Sequence, residues 1–340
     1  MSHNSYHCFE IFKGDYLVSL NSINSRLIII NRITELFIRG MSVLTDLWCK
    51  DTEIEFFQKS LDSDLVTPEQ LFYVTNDGKF FAYWPRKYRG SRTTLQSRNA
   101  LIGNFTEKWS ANIIQQIVKN DKLHVIQGAI CDELALTRQS PGDVVVSRRS
   151  GVEQKPEDIV AIFEIKMSIV WNWEYIKDNQ NNDRFICLGN YKTHSGNPGL
   201  LRSDSMLKAI GKSVNIRISS PKAARIPIIV LGNTPITESY YHKVDQLYKT
   251  GIIQGFWSIN PEPLDCKNNK ENIKTTQKGG FFRFDSIKEL QYKINQLFSQ
   301  EIIFLSCMKN KEELGRIIET ANKQKTYEEK GELFIRLIGE

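Results

Sequence analysis

Three side chains near the middle of this 340-residue chain have the types and spacing to act together on a phosphate ester. Asp143 follows Pro141-Gly142 and opens the apolar run Val144-Val145-Val146. Glu164 and Lys166 end a second apolar run that begins at Ile159. If both runs are strands, side-chain alternation puts Glu164 and Lys166 on one face, and Phe163, Ile165 and Met167 on the other. Two carboxylates suffice to hold Mg²⁺, which prefers oxygen ligands and keeps several of its waters. Such a metal lowers the pKa of bound water and stabilises the charge that builds on a phosphate under attack. A lysine beside the second carboxylate can orient the water and offset part of that charge. On this reading Asp143 and Glu164 are metal ligands, the backbone carbonyl of Ile165 is a further ligand, and Lys166 handles the water. Mn²⁺ is expected to substitute for Mg²⁺.

The acid-x-lysine spacing is weak by itself. It recurs at Asp77/Lys79, Glu153/Lys155, Asp265/Lys267 and Glu328/Lys330, in stretches that read as turns, loops or a terminal helix. Only Glu164/Lys166 falls in a long apolar run. Burying a charge without a partner is costly, so such a run needs a reason to carry both signs. A cross-strand ion pair on a half-exposed sheet is the alternative that needs no metal.

The elements that must position these groups can be read on either side. Residues 94–118 read as a helix, with Leu101, Phe105, Ile113, Ile114, Ile117 and Val118 at helical spacing. Glu107 lies on it, either as a surface acid in a local ion pair or as a carboxylate aimed at the metal. Strands are expected at 124–130, 143–147 and 159–170, followed by a long polar insertion at 171–200. A helix then starts at Ser203-Asp204 and runs to about Ile218. A buried strand over 225–232, a helix over 238–251 and a strand over 255–259 complete the middle of the chain. Before it, Leu27 to Ile30 is strand or helix, 51–61 is helical, Thr67-Pro68 starts a helix, and 73–83 is a hairpin around Asn76-Asp77-Gly78. After it come a mobile loop over 261–280 and helices over 286–300, 309–321 and 326–338.

Composition narrows the setting. The 41% hydrophobic and 25% charged fractions are those of a soluble globular protein. The cysteines are scattered without a C-x-x-C pair, which argues against a zinc site or disulfide framework and fits a reducing cytoplasm. No secretory signal is evident, and the apolar runs are too short to span a bilayer, so no membrane role is expected. A net charge of +6 leans mildly towards polyanionic partners. Arg86, Lys87, Arg89, Arg92 and Arg98 lie in a stretch with no acid, next to Tyr83, Trp84 and Tyr88. That stretch is either a solvated loop or a set of phosphate contacts. Arg202, Ser205, Lys208 and Lys212 share a helix face that is either solvated or turned to phosphates or the site. Asn172, Asn179, Gln180, Asn181, Asn182, Lys192 and His194 in the insertion include side-chain types that read base edges.

With these residues in place, the chain over roughly 95–260 resembles the PD-(D/E)XK nuclease superfamily. Pro141-Gly142-Asp143 resembles its first half-motif, with Gly142 inserted between the proline and the acid. Glu164-Ile165-Lys166 resembles the second half-motif without departure, and Glu107 matches the acid many members carry on the first core helix. The resemblance implies an α/β (α+β) fold with a restriction-endonuclease-like αβββαβ core, its mixed central sheet flanked by helices. N-terminal and C-terminal helical additions would complete it. The expected division is an N-terminal mixed region over 1–93, a nuclease core over 94–260 with its recognition insertion at 171–200, and a loop with C-terminal helices over 261–340. Size and insertions are most similar to those of a type II restriction endonuclease. That implies Mg²⁺-dependent, sequence-specific cleavage of double-stranded DNA by a cytoplasmic homodimer, with a cognate DNA methyltransferase as genetic rather than physical partner. Two alternatives stay open: a nuclease of the same superfamily in repair, recombination or phage DNA processing, and a catalytically silent DNA-binding protein on the same scaffold.

Overall fold

The computed structural model describes residues 46–62, 66–118, 122–178, 183–262, 273–300, 304 and 309–339, all within one unit, Asp46–Glu340. The expected element at Leu27 to Ile30, and the base-reading candidates Asn179 to Asn182, lie outside the described residues.

Two helices, α1 (Lys50–Leu61) and α2 (Pro68–Leu71), precede two short strands, β1 (Tyr73–Val74) and β2 (Phe80–Phe81). The long helix α3 (Gln96–Ile117) leads into β3 (His124–Ala129), β4 (Gly142–Ser147) and β5 (Ile159–Lys166). A hairpin of β6 (Asn172–Ile176) and β7 (Arg184–Gly189) separates β5 from α4 (Ser203–Ser219). Then come β8 (Ile228–Gly232), α5 (Tyr241–Lys249), β9 (Gly255–Ser258) and β10 (Phe281–Arg283). Helices α6 (Ile287–Ser299), α7 (Lys311–Ala321) and α8 (Tyr327–Gly339) follow.

The main sheet has six strands in the order β10-β9-β8-β5-β4-β3. β3, β4 and β5 pair antiparallel, whereas β5, β8, β9 and β10 run parallel, so the sheet is mixed. With eight α-helices among the described residues, this is a mixed α/β fold compatible with the α+β class. None of those helices is long and apolar enough to cross a membrane.

Alternation along the strands builds two cores. Val144, Val146, Ala161, Phe163 and Ile165 pack with Ile113, Ile114 and Ile117 of α3. Val145, Ile159 and Ile162 pack on the other face with Ile216 of α4. Strands buried on both faces read as continuous apolar runs, which is why Val144 to Val146 and Ile159 to Phe163 carry so few polar residues.

Three expectations change. β5 ends at Lys166 rather than at residue 170. Beyond it, Asn233 side-chain atoms take over the ladder, with Oδ1 accepting from the Ser168 N–H at 3.1 Å and Nδ2 donating to the Ser168 carbonyl at 2.6 Å. The insertion is no long loop either, since β6 and β7 join β2 and β1 in a second, antiparallel four-stranded sheet. Its apolar alternation was masked by the polar residues between the strands. β10 lies between the expected loop over 261–280 and the expected helix over 286–300, where no element was expected, and pairing with β9 makes that short segment a strand.

Candidate active site

Register brings the acids together. Val144 pairs with Phe163, so the next step along the antiparallel ladder sets Asp143 beside Glu164 at one end of the sheet. Lys166 lies two residues further on the same face as Glu164, opposite Gly232 of β8. Both acids therefore point to the face that α4 covers. The Gly142 between proline and acid has a packing reason: a Cβ there would stand 2.7 Å from Cγ2 of Val145 and 3.4 Å from Cδ1 of Leu136. A larger residue would have to displace the Val145 side chain of the same strand, two residues from Asp143.

The side chains form a quartet rather than a triad. Lys166 Nζ donates to Glu164 Oε1 at 2.5 Å, to Asp143 Oδ2 at 3.4 Å and to the Ile165 carbonyl at 3.0 Å. The Ile165 N–H donates to Asp143 Oδ2 at 2.8 Å. Lys212, from α4, donates to Asp143 Oδ1 at 2.7 Å and pairs with Glu164 Oε2 at 2.7 Å. Glu164 is 4% exposed, so its charged form depends on these partners. Burial, and then the neighbouring Asp143, push the Glu164 carboxyl above the usual carboxylate range, against the pull of the two lysines. Burial also works against ionising Asp143, but Lys166, Lys212 and the Ile165 N–H outweigh it and hold that carboxyl low. Burial likewise opposes charging Lys212, and Glu164 with Asp143 reverse the effect and raise its pKa. The two carboxyls are thus pushed in opposite directions, Asp143 below and Glu164 above the usual range.

Glu107 approaches from α3, on the other side of the sheet. It is half-buried, and its Oε2 accepts from Gln127 Nε2 of β3 at 3.1 Å. Partial burial raises its pKa, with the charge on Asp143 adding to the rise. It is within electrostatic reach of the quartet, which the helical reading alone could not establish.

The basic candidates divide. Arg86, Lys87, Arg89 and Arg92 are exposed in the connection from β2 to α3, which meets the insertion through a bridge between Pro85 and His194. Arg98 does not belong with them. It is 3% exposed, donates to the carbonyls of Leu71 and Ala82, and lies over the rings of Tyr73 and Tyr83. Its charge is spent inside the protein, so it is a structural cation and not a phosphate contact. Arg202 and Lys208 are exposed on α4 and pair with Asp204 at 3.5 and 3.1 Å, while Ser205 is half-buried. Arg202, rather than Ser203, stands at the helix N-cap. Of that helix face only Lys212 reaches the acids.

Two insertion residues offered for base reading are also internal. Asn172 is buried and its Oδ1 accepts from the Tyr83 N–H at 3.0 Å. His194 is buried against Tyr83, ring centroids 3.8 Å apart, and burial lowers its pKa to about 4. Lys192 remains exposed.

Among the described residues, no group of three or more His, Cys, Asp and Glu gathers as a metal centre. The donor set is instead two carboxylates. Asp143 Oδ1 and Glu164 Oε2 converge on one positive charge, Lys212 Nζ, so the geometry accepts a cation between them. Paired oxygen donors fit a hard divalent ion that retains its waters.

Sequence reasoning left Lys212 among several face residues. Its signal was positional: nine residues into the helix after the motif strands, on the face shared with Ser205 and Lys208. Comparison with protein-family models, with curated proteins and with solved structures finds no match in any of the three.

Proposed function

We propose that this chain is a Mg²⁺-dependent, sequence-specific endonuclease of double-stranded DNA, built on a PD-(D/E)XK-type core and most like a type II restriction enzyme. The observation that carries the reading is the convergence of Asp143 and Glu164, from neighbouring strands, with Lys166 on the same face. The order α3-β3-β4-β5-α4-β8, with the β6–β7 hairpin inserted between β5 and α4, supports it as well. Asp143 and Glu164, with the Ile165 carbonyl, are the groups that would hold Mg²⁺ or Mn²⁺. Bound there, the ion would lower the pKa of a water and stabilise negative charge on the scissile phosphate.

The protein groups do the rest. Lys166 is fixed by three oxygen partners, so its ammonium is preorganised to orient a water and to meet a developing oxyanion. Asp143 and the Ile165 N–H lock β4 to β5 and keep the acids in register. The exposed Arg86, Lys87, Arg89 and Arg92 supply positive charge along the backbone of a bound duplex. A palindromic target would be met by a two-fold homodimer that cuts one strand per subunit.

Incubating the full chain with unmethylated plasmid and phage DNA in Mg²⁺ is expected to give discrete fragments with uniform ends. Degradation from ends, or structure-dependent nicking, would assign the same chemistry to DNA repair, recombination or phage processing. A second reading has its own support: the two lysines already balance the two acids, as in a silent scaffold that only binds DNA. Tight binding with no cleavage in Mg²⁺ or Mn²⁺ would select it. Glu107→Gln is expected to slow cleavage by about tenfold to a hundredfold with the fold retained, consistent with one general acid–base or orienting group. A change within twofold in single-turnover rate would make Glu107 scaffold.

A further inference from the structure

The position that a metal would take is held by a side chain. Asp143 Oδ1 and Glu164 Oε2 come from two strands and meet one ammonium, Lys212 Nζ, at 2.7 Å each. The other oxygen of each acid belongs to Lys166, at 3.4 and 2.5 Å. Two carboxylates thus face two ammonium groups, all four side chains at most 19% exposed. The local charge is already balanced. Adding a divalent ion to this arrangement would place it against two nearby cations in a poorly solvated pocket, where like charges repel strongly.

One of the lysines therefore has to leave, and the geometry says which. Lys166 is tied to the site by its own strand and by a bond to the Ile165 carbonyl at 3.0 Å. Lys212 reaches in from α4 on a flexible four-carbon stem, and its hydrogen bond and ion pairs go to the two acids. Among the described residues, its withdrawal breaks no hydrogen bond or ion pair other than those to the two acids. We propose that Lys212 is an internal counterion that occupies the cation position of the Asp143–Glu164 pair and is displaced when a divalent metal binds.

The proposal rests on reading Asp143 and Glu164 as a metal pair, and adds that the free protein holds its metal affinity down. A displaced ammonium at the mouth of the site is also free to meet a phosphate oxygen, so metal and polyanion would be bound more readily together than apart.

Calorimetric titration of Mn²⁺ into the metal-free protein tests this without any cleavage readout. Lys212→Met, close in length and uncharged, is expected to bind Mn²⁺ on the order of tenfold to a hundredfold more tightly than wild type. Lys212→Arg keeps the cation and is expected to remain near wild type, and Lys212→Gln serves where the Met variant fails to fold. Adding Asp143→Asn to Lys212→Met should remove the gain, which places the ion at this pair. Asp143-dependent binding of equal strength in wild type, Lys212→Met and Lys212→Gln would overturn the counterion role and leave the metal pair standing. No Asp143-dependent Mn²⁺ binding in any variant would overturn the metal pair itself, and the proposal with it.

Discussion

Asp143→Asn and Glu164→Gln are each expected to reduce Mg²⁺-dependent cleavage of plasmid DNA by at least about a thousandfold while the protein stays folded. The magnitude follows from losing an anionic metal ligand, an effect of about 4 kcal/mol or more on the barrier. Both substitutions keep side-chain size, so β4 and β5 retain their packing. They do leave Lys166 and Lys212 short of one negative charge, and a lower melting temperature should accompany the loss of activity. Lys166→Ala is expected to fall in the range of about a hundredfold to a thousandfold, as for the loss of one preorganised stabilising group. Single-turnover rates with circular dichroism as a fold control separate the two effects. If a folded Lys166→Ala cleaved at the wild-type rate, its assigned role with the water would be wrong. If all three variants lost stability but DNA binding persisted, and wild type itself never cleaved, the quartet would be a structural ion cluster.

The largest expected effect on stability lies away from these acids, at Glu53 on α1. This carboxylate is fully buried and accepts four N–H groups. Trp48 Nε1 and the Val170 N–H donate to Oε1 at 3.1 and 2.6 Å, and the Trp171 N–H and Trp173 Nε1 to Oε2 at 3.2 and 2.8 Å. It ties α1 to the segment that leaves β5, and so helps fix where Lys166 ends its strand. Glu53→Gln would turn an amide NH₂ towards two of those donors. The unsatisfied groups are expected to cost about 2–4 kcal/mol in urea unfolding.

Burial raises the Glu53 pKa from 4.5 to about 7, against the pull of its four donors. The folded state then holds the proton up to about pH 7, whereas the unfolded chain releases it near the ordinary value. Between those limits the folded state binds more protons, so this group's contribution to stability falls as pH rises and levels off above them. The loss is roughly 3 kcal/mol across the window. Glu53→Gln should lack that slope, leaving its deficit larger at pH 5 than at pH 7.5. An equal deficit at the two values would mean that Glu53 is ionised throughout.

Much of the candidate site was legible before any fold was known. Strand alternation alone set Glu164 and Lys166 on one face, and the apolar runs around Asp143 and Glu164 are strands that pair with each other and, for the second, with β8. Arg98 and His194 show where this fails. A basic residue among other basic residues reads as surface, but Arg98 lies over the rings of Tyr73 and Tyr83, which precede α3 in the chain. His194 reads as a polar loop residue, but a bridge to Pro85 seats it on Tyr83. Neither contact has a local signal, because each partner is distant in the chain.

Glu53 makes the same point more sharply. As the fourth residue of an amphipathic helix it looks like an ordinary surface acid, and its four donors come from residues 48 and 170–173. By itself, the amino-acid sequence determined the alternating strands, the long helices and the chemical kinds of Asp143, Glu164 and Lys166, because these depend on periodicity and residue type within a few positions. Only the tertiary structure decided that Lys212 rather than Lys208 meets the acids, that Glu107 comes within their field, and which cations are inside. Those outcomes depend on strand register and on how helices from distant parts of the chain seat on opposite faces of one sheet.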